Sequence, residues 1–226
     1  ESTSQNDDLE LGGPPEIVVS VNANAGFSIV KYTGIGADMK VPHGLSAAPD
    51  MLMVKGLETS NDWAVLHKDG TDGNFLQLNS PAGESGDGSI FGGTFARPTS
   101  TVFTIGNAAE TGTADKEYIA YCWHSVSGYS KISSYTGNGS TKSITGLGFQ
   151  PDWIMIKELG TSNAWRIFDS ARGLSAPQTL FANLNSVEDG ESNTVSSFDS
   201  DGWTMGSQQG VNDNGETFIY MAFKIN

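Results

Sequence analysis

Two pairs of closely spaced carboxylates stand at glycine turns and have the chemistry of cation ligands. Asp199 and Asp201 lie in FDSDGW, and Asp69 and Asp72 lie in KDGTDGN. The Asp-x-Asp-Gly spacing matches the opening of a calcium loop, because Ca²⁺ prefers oxygen ligands at short spacing. The rest of that loop pattern is absent, and a hairpin turn whose Asp side chains accept bonds from nearby backbone N–H groups explains the same residues. Calcium at Asp199 and Asp201 therefore stays a hypothesis beside the plain turn.

A cationic side chain gives a second candidate site. Arg172 follows the apolar segment WRIF and stands three residues after Asp169. This spacing predicts a local ion pair at the end of a strand. Because a guanidinium group also binds carboxylates through paired N–H donors, Arg172 is a candidate for contact with an acidic sugar.

Aromatic side chains give a third candidate, because exposed rings bury the apolar C–H faces of sugars. Phe91 and Phe95 are flanked by glycines in GSIFGGTF, so we predict that they lie in a loop and either bind a ligand or fill an interface. Tryptophans align with other tryptophans or large apolar residues when the two halves of the sequence are compared. We therefore predict that they lie in the core: Trp63, Trp123, Trp153, Trp165 and Trp203.

The sequence shows no recognisable catalytic set. The histidines at positions 43, 67 and 124 have no zinc-motif spacing, and we expect His43 and His67 at turns or on the surface. A Gly-x-Ser-x-Gly nucleophile motif is absent. A glycosidase needs two carboxylates about 5–9 Å apart, and nothing in the sequence brings residues such as Glu84 and Glu158 together. We expect a protein without enzymatic activity.

The sequence repeats itself along its length. YTGIG at residues 32–36 matches YTGNG at 135–139, and APDMLMVK at 48–55 matches QPDWIMIK at 150–157. Further matches follow in the same order, ending with YIAYCWH and FIYMAFK. An ordered series of this kind predicts an internal duplication with repeats of about 100 residues, the size of a β-sandwich.

Each repeat consists of short apolar or alternating runs separated by glycine turns such as TGNG and NDNG, which is typical of strands. We predict an all-β protein of two similar antiparallel β-sandwich or jelly-roll domains, at residues 26–126 and 127–226. One large sandwich with half from each repeat is the alternative. Residues 1–25 are predicted to form an acidic arm in which EIVVSVNA adds an edge strand.

Composition restricts the class of partner. The chain has 226 residues, 28 of them glycine, and a formal net charge of −14. Its few basic residues are scattered, so we expect no nucleic-acid partner and no partner membrane, whose surface is also negative. Cys122 is the single cysteine, and its apolar neighbours predict a buried residue.

The second repeat carries YTGNG, GFQPDWIMIK, FDSARG, SFDSDGWTMGS and GETFIYMAF in order. In this it resembles a repeat of bacteriophage virion proteins, especially tail-fibre-like and collar-like proteins. The first repeat departs from the pattern, since Met51 replaces a tryptophan and HKDG replaces an Asp-x-x-Arg-Gly segment. The resemblance implies a structural role in a virion or outside the cell, and it implies no particular ligand or reaction.

These observations lead to one expected function and two alternatives. We expect a bacteriophage structural protein that forms a fibre, a spike or a capsid decoration and attaches to host-surface glycan. It is expected to form a homo-oligomer, with a trimer favoured, or to bind other virion proteins. A secreted carbohydrate-binding module or lectin is the first alternative, which a calcium requirement would favour. A glycan depolymerase is the second.

Overall fold

The computed structural model describes residues 15–86, 88–174, 179–188 and 190–225. Regular structure in this part of the chain consists of antiparallel strands and one 3-10 turn at Ala23–Ala25, so the predicted all-β fold is confirmed. The strands are β1 (Ile17–Asn22), β2 (Phe27–Thr33), β3 (Met39–Pro42), β4 (Met51–Gly56), β5 (Ala64–His67), β6 (Asn74–Gln77), β7 (Ser85–Gly86), β8 (Val102–Ile105), β9 (Glu117–Trp123), β10 (Ser130–Thr136), β11 (Lys142–Ile144), β12 (Trp153–Glu158), β13 (Arg166–Asp169), β14 (Leu180–Phe181), β15 (Val195–Asp199), β16 (Gly202–Met205) and β17 (Thr217–Phe223).

Two large antiparallel sheets organise the molecule. The first has the order β1-β2-β9-β4-β5-β6-β7, and the second has the order β10-β17-β12-β13-β14. Strands β2-β9-β4-β5-β6 follow one another in the first sheet as β10-β17-β12-β13-β14 do in the second. A shared strand order is what an internal duplication would produce. The duplication itself and the domain bounds 26–126 and 127–226 stay predictions.

Two small sheets cover the outer faces of the large ones. Strands β3 and β8 form a pair, and β11, β16 and β15 form a three-stranded sheet. Val41 and Phe103 lie opposite each other in the first, and both are buried in one apolar core with residues of β2, β4 and β9. Ile144 and Trp203 lie opposite each other in the three-stranded sheet, and both are buried in a separate core. Each half of the chain is therefore a small sandwich with its own core.

A third apolar core lies where the two large sheets face each other. Met53 and Val65 from the first sheet pack with Met155, Trp165 and Met221 from the second. The central strands β4, β9, β12 and β17 are thus covered on both faces, which explains their continuous apolar sequences.

Polar contacts also join the two halves. The indole Nε1 of Trp165 donates to the carbonyl of Gln77 at 2.9 Å. The backbone N–H of Glu84 donates to the carbonyl of Leu159 at 2.8 Å. The two sandwiches therefore form one block held by an apolar core and by hydrogen bonds.

The edge strand predicted in EIVVSVNA is present. β1 pairs antiparallel with β2, from Ile17 opposite Tyr32 to Asn22 opposite Phe27. The rest of the predicted acidic arm, residues 1–14, lies outside the described residues. No helix in the described part of the chain has the length and apolar character that a membrane crossing requires.

Two histidines are buried, so of the two expected positions, at turns or on the surface, the surface is wrong. His43 follows β3, and its ring nitrogens bond to the backbone N–H of Leu45 and the carbonyl of Thr99, both at 3.1 Å. His67 ends β5, and its Nδ1 accepts from the backbone N–H of Asp69 at 3.1 Å. Burial lowers the pKa of His67 to about 4, so this imidazole is neutral at pH 7. Both rings stabilise the turns that follow them.

Cys122 is fully buried, as predicted. Burial raises the pKa of its thiol to about 12. A nucleophilic thiolate is therefore not available from this residue in the folded protein.

Candidate functional site

Three aromatic side chains form an open groove at one end of the second large sheet. Trp153 begins β12, Phe223 ends β17 directly opposite it, and Tyr129 precedes β10. The ring centroids of Trp153 and Phe223 are 5.8 Å apart, and those of Tyr129 and Phe223 are 6.1 Å apart in an edge-on arrangement. The groove has a volume of ≈ 400 Å³. It is lined by Tyr129, Trp153, Phe223, Lys224 and Ile225, which we call the aromatic groove.

The backbone around the aromatic groove is fixed by hydrogen bonds. The N–H of Asp152 donates to the carbonyl of Phe223 at 2.8 Å, and the Asp152 carboxylate accepts from the N–H of Ile225 at 2.7 Å. The N–H of Lys224 donates to the carbonyl of Tyr129 at 2.8 Å. The rings therefore stand on a rigid support, which reduces the entropy lost when a ligand orders them.

The first half of the chain does not form the same groove. Met51 occupies the place of Trp153, opposite Trp123, and is 1% exposed. Phe27 stacks on Trp123 with ring centroids 5.0 Å apart. The corresponding space is filled by the protein's own side chains, so the open groove belongs to the second half.

The aromatic groove combines an apolar floor with a positive charge at its rim. Trp153 and Phe223 are half-buried, and Tyr129 is 39% exposed. Lys224 is exposed and brings an ammonium group to this edge. Half-exposed rings beside a polar donor are suited to a ligand with apolar faces and hydroxyl or carboxylate edges.

A second recess, of ≈ 250 Å³, lies at the start of β4, but its charged groups are already paired. Lys68 pairs with Asp50 at 3.2 Å. Arg97 pairs with Asp72 at 2.6 Å and donates to the carbonyl of His67 at 2.7 Å. Because these groups would have to break bonds to hold a ligand, this recess is a weaker candidate than the aromatic groove.

The two phenylalanines predicted as loop ligands face the protein interior. Phe91 is 3% exposed and belongs to the core of the first sandwich, so it offers no ring face to a sugar. Phe95 packs against the same core, and the guanidinium carbon of Arg97 lies 5.2 Å from its ring centroid. The glycine-rich loop folds back over the core, which the sequence did not indicate.

Arg172 forms the predicted local ion pair. Its Nε donates to the Asp169 carboxylate at 2.7 Å, and its Nη1 donates to Glu188 at 2.8 Å. Burial alone would raise the pKa of Asp169, but hydrogen bonds from the Arg172 backbone and guanidinium outweigh it, and the pKa is lowered. The arginine orders the loop after β13, and an acidic sugar would have to compete with two carboxylates for it.

The carboxylates proposed for calcium each serve a turn. Asp199 accepts from the hydroxyls of Ser197 at 2.8 Å and Thr204 at 2.7 Å. Asp201 accepts from the backbone N–H groups of Gly146 at 2.9 Å and Gly148 at 2.6 Å, which lower its pKa. Among the residues that the structure describes, no group of three or more His, Cys, Asp or Glu side chains could hold a metal ion. These two residues therefore do not fit a calcium site.

The acidic residues considered for glycan cleavage are engaged with the protein itself. The Glu84 carboxylate accepts from the backbone N–H of Thr71 at 3.0 Å. Glu158 is buried, and its carboxylate accepts from the side chains of Thr161 and Asn163. Glu158 is closed off from solvent, whereas Glu84 lines a recess of ≈ 310 Å³ with its carboxylate already bonded to the backbone of Thr71.

Sequence reasoning missed the aromatic groove, although Trp165 and Trp203 are core residues as predicted. Trp153, also expected in the core, is partly buried against the core between the sheets, and at the first position of β12 its remaining surface lines the groove. One signal was present in the sequence. Trp153 aligns with the smaller Met51, and this difference in side-chain size indicates a place where the two halves differ in structure.

Comparison with known proteins places the chain in a family. No curated protein and no solved structure matches it. A family described as a Domain of unknown function (DUF7483) matches residues 5–226. Because this match covers nearly the whole sequence, the chain belongs to the DUF7483 family.

Proposed function

We propose that the chain is a structural module of a bacteriophage particle, in a fibre, a spike or a capsid decoration, and that it attaches to carbohydrate on the host surface through the aromatic groove. The observation that carries the attachment is the half-exposed group of rings at Tyr129, Trp153 and Phe223. The module is proposed to act by binding, without catalysis.

The architecture supports a structural role. Two sandwiches share an apolar core, and Trp165 and Glu84 add hydrogen bonds between them. Short turns and closely packed antiparallel strands expose few sites for proteolysis. A block of this kind suits a particle that has to survive outside a cell, which agrees with the resemblance to virion repeats.

The aromatic groove supports carbohydrate as the ligand. The C–H face of a hexose is flat and apolar and stacks on an aromatic ring, while its hydroxyl groups stay at the rim. Lys224 at the rim can donate hydrogen bonds to hydroxyls or to the carboxylate of an acidic sugar.

Glycan arrays of bacterial surface polysaccharides test the attachment, with titration of the bound oligosaccharides followed by tryptophan fluorescence. We expect binding by the natural chain and a loss of at least about tenfold in affinity, or 1.4 kcal/mol, for Trp153→Ala and Tyr129→Ala. Trp63→Ala is the matched control, because Trp63 is half-buried but does not line the groove. Equal binding by the natural chain and the three variants would show that the aromatic groove does not bind the glycan.

The particle role is tested separately by gold labelling with an antibody against the chain on particles from its source. Label at fibre tips, or spread over the capsid, supports a structural protein and says where it lies. Label on no particle, together with glycan binding, favours the alternative of a secreted carbohydrate-binding module, because the aromatic groove would serve that role equally well.

A further inference from the structure

We infer that β1 is an interface strand, and that two copies of this chain join by antiparallel pairing of β1 with β1 into one continuous sheet. This inference goes beyond the proposed function and does not depend on glycan binding. It rests on how the edges of the two large sheets are built.

Three of the four edges are short or are covered over part of their length. Strands β7 and β14 are two residues long. On β10, the N–H and carbonyl of Ser130 bond to Val126 at 2.8 and 3.1 Å, and the N–H of Ile132 donates to the Ser125 hydroxyl at 2.9 Å. Natural proteins shorten or cover edges in these ways because an open edge pairs with other chains.

The fourth edge, β1, is long and open. The N–H of Thr33 donates to the carbonyl of Glu16, so alternate residues from Glu16 onward bond to β2. The N–H and carbonyl groups of Ile17, Val19 and Val21 therefore point away from β2. Within residues 15–86, 88–174, 179–188 and 190–225, nothing bonds to them.

The side chains of β1 also lack the features that prevent pairing. The segment IVVSVN contains no charge, no proline and no bulge. Val18, Val19 and Val21 are exposed large apolar residues at 51%, 36% and 47%. An uncharged, β-branched edge without a bulge is the type that adds a strand.

The chemistry of β1 favours a second copy of the chain as the added strand. An antiparallel edge is self-complementary, so Val19 of each copy can exchange both backbone bonds across a twofold axis, with Ile17 opposite Val21. In this register the two Glu16 residues, one from each copy, lie at opposite ends of the strand pair. The contact thus joins two chains of net charge −14 along an uncharged segment. It predicts a dimer, in place of the trimer favoured from the sequence.

Sedimentation equilibrium of the whole chain tests this pairing. We expect a concentration-dependent dimer for the natural chain and loss of the dimer for Val19→Pro, which removes an outward N–H and no bond to β2. Val19→Lys, a charge on the edge, should have the same effect. Val187→Lys is the matched control, because Val187 is 85% exposed outside any strand. A monomer at millimolar concentration, or a dimer that survives both substitutions at Val19, would overturn the inference.

Amide exchange of the natural chain tests the same edge without depending on a variant that folds. The amides of Ile17, Val19 and Val21 should become protected as the concentration rises, while those of Val18 and Ser20 are protected throughout by β2. Outward amides that exchange freely at every concentration would contradict the pairing. Outward amides that are protected equally at every concentration would mean that another part of the same chain covers the edge, which would also contradict it.

Discussion

Lys157 is a fully buried lysine whose ammonium group is held by carbonyl oxygens. Its Nζ donates to the carbonyls of Glu158 at 2.7 Å and Thr161 at 3.4 Å. Lys55 makes the same kind of contact, with the carbonyls of Thr59 and Asn61. In both halves a lysine thus fastens the loop that follows a central strand. Burial lowers the pKa of Lys157 from 10.5 to about 8, against the opposing charge of Glu158.

This shift predicts a pH-dependent stability. Because the pKa is lower in the folded chain, the unfolded chain binds the additional proton between pH 8 and 10.5, so the free energy of unfolding rises with pH in that window. Below pH 8 the buried, charged ammonium group lowers the free energy of unfolding by the full amount, and above pH 10.5 this penalty is absent. At about 1.4 kcal/mol per pKa unit it amounts to roughly 3 kcal/mol.

Urea unfolding at a series of pH values measures this contribution as the difference between the natural chain and Lys157→Met. Tyr32, Tyr135, Tyr220 and Cys122, whose pKa values burial raises, are present in both proteins, so their titration cancels in the difference. We expect the difference in unfolding free energy to grow with pH between 8 and 10.5. Parallel pH curves for the two proteins would show that Lys157 keeps an ordinary pKa.

Asp201 gives a prediction about calcium. Because its carboxylate accepts from Gly146 and Gly148, we expect that neither calcium nor a chelator changes the thermal midpoint, and that Asp201→Asn lowers it. The lowered pKa means that this contribution is present above the ordinary value of 3.8 and is lost as the pH falls through the folded-state value. Differential scanning fluorimetry suffices. A midpoint raised by calcium in the natural chain, and not in the variant, would restore the metal hypothesis.

At the scale of elements, the hairpin of β15 and β16 depends on a glycine. Gly202 has a φ of 154°, and a Cβ built there would lie 1.9 Å from the carbonyl oxygen of Ile144. We expect Gly202→Ala to cost about 3 kcal/mol or more, because the backbone of β11 has to move. Gly128→Ala is the control for strain without a clash, since Gly128 has a φ of 75° and open space around it, and it should cost about 1–2 kcal/mol. Chemical denaturation compares them, and equal costs would show that β11 yields easily.

Strands were predictable from local pattern, and their environments were not. Alternation and continuous apolar runs indicated β2, β4, β9 and their counterparts, because a strand's own sequence records whether one or both faces are covered. The burial of Phe91 and His43 depends on loops that fold back over the sandwich, which no local pattern encodes. The position of Trp153 at the open end of a sheet depends likewise on how the two sheets overlap.

At the scale of the molecule, the shared core predicts one cooperative unfolding transition. Trp165 is 1% exposed, belongs to the core between the sheets and donates to Gln77 of the other half. We expect Trp165→Ala to cost about 3–5 kcal/mol and to destabilise both halves equally. Trp203→Ala, which empties a core within the second half, is the comparison.

Calorimetry and amide exchange of β9 and β16 provide the measurements for this prediction. A single transition, with exchange in both strands accelerated by Trp165→Ala, fits a shared core. Two separate transitions in the natural chain would mean that the sandwiches unfold independently in spite of their contact.

The buried position of Cys122 makes the folded chain inert toward thiol reagents. Modification by a maleimide therefore has to wait for β9 to leave the sheet, and its rate reports the opening of the first sandwich. A cysteine introduced at an exposed position such as Val187 would then be the one reactive thiol of the native protein. A dye or gold particle attached at this known position would show where the chain lies within a larger assembly.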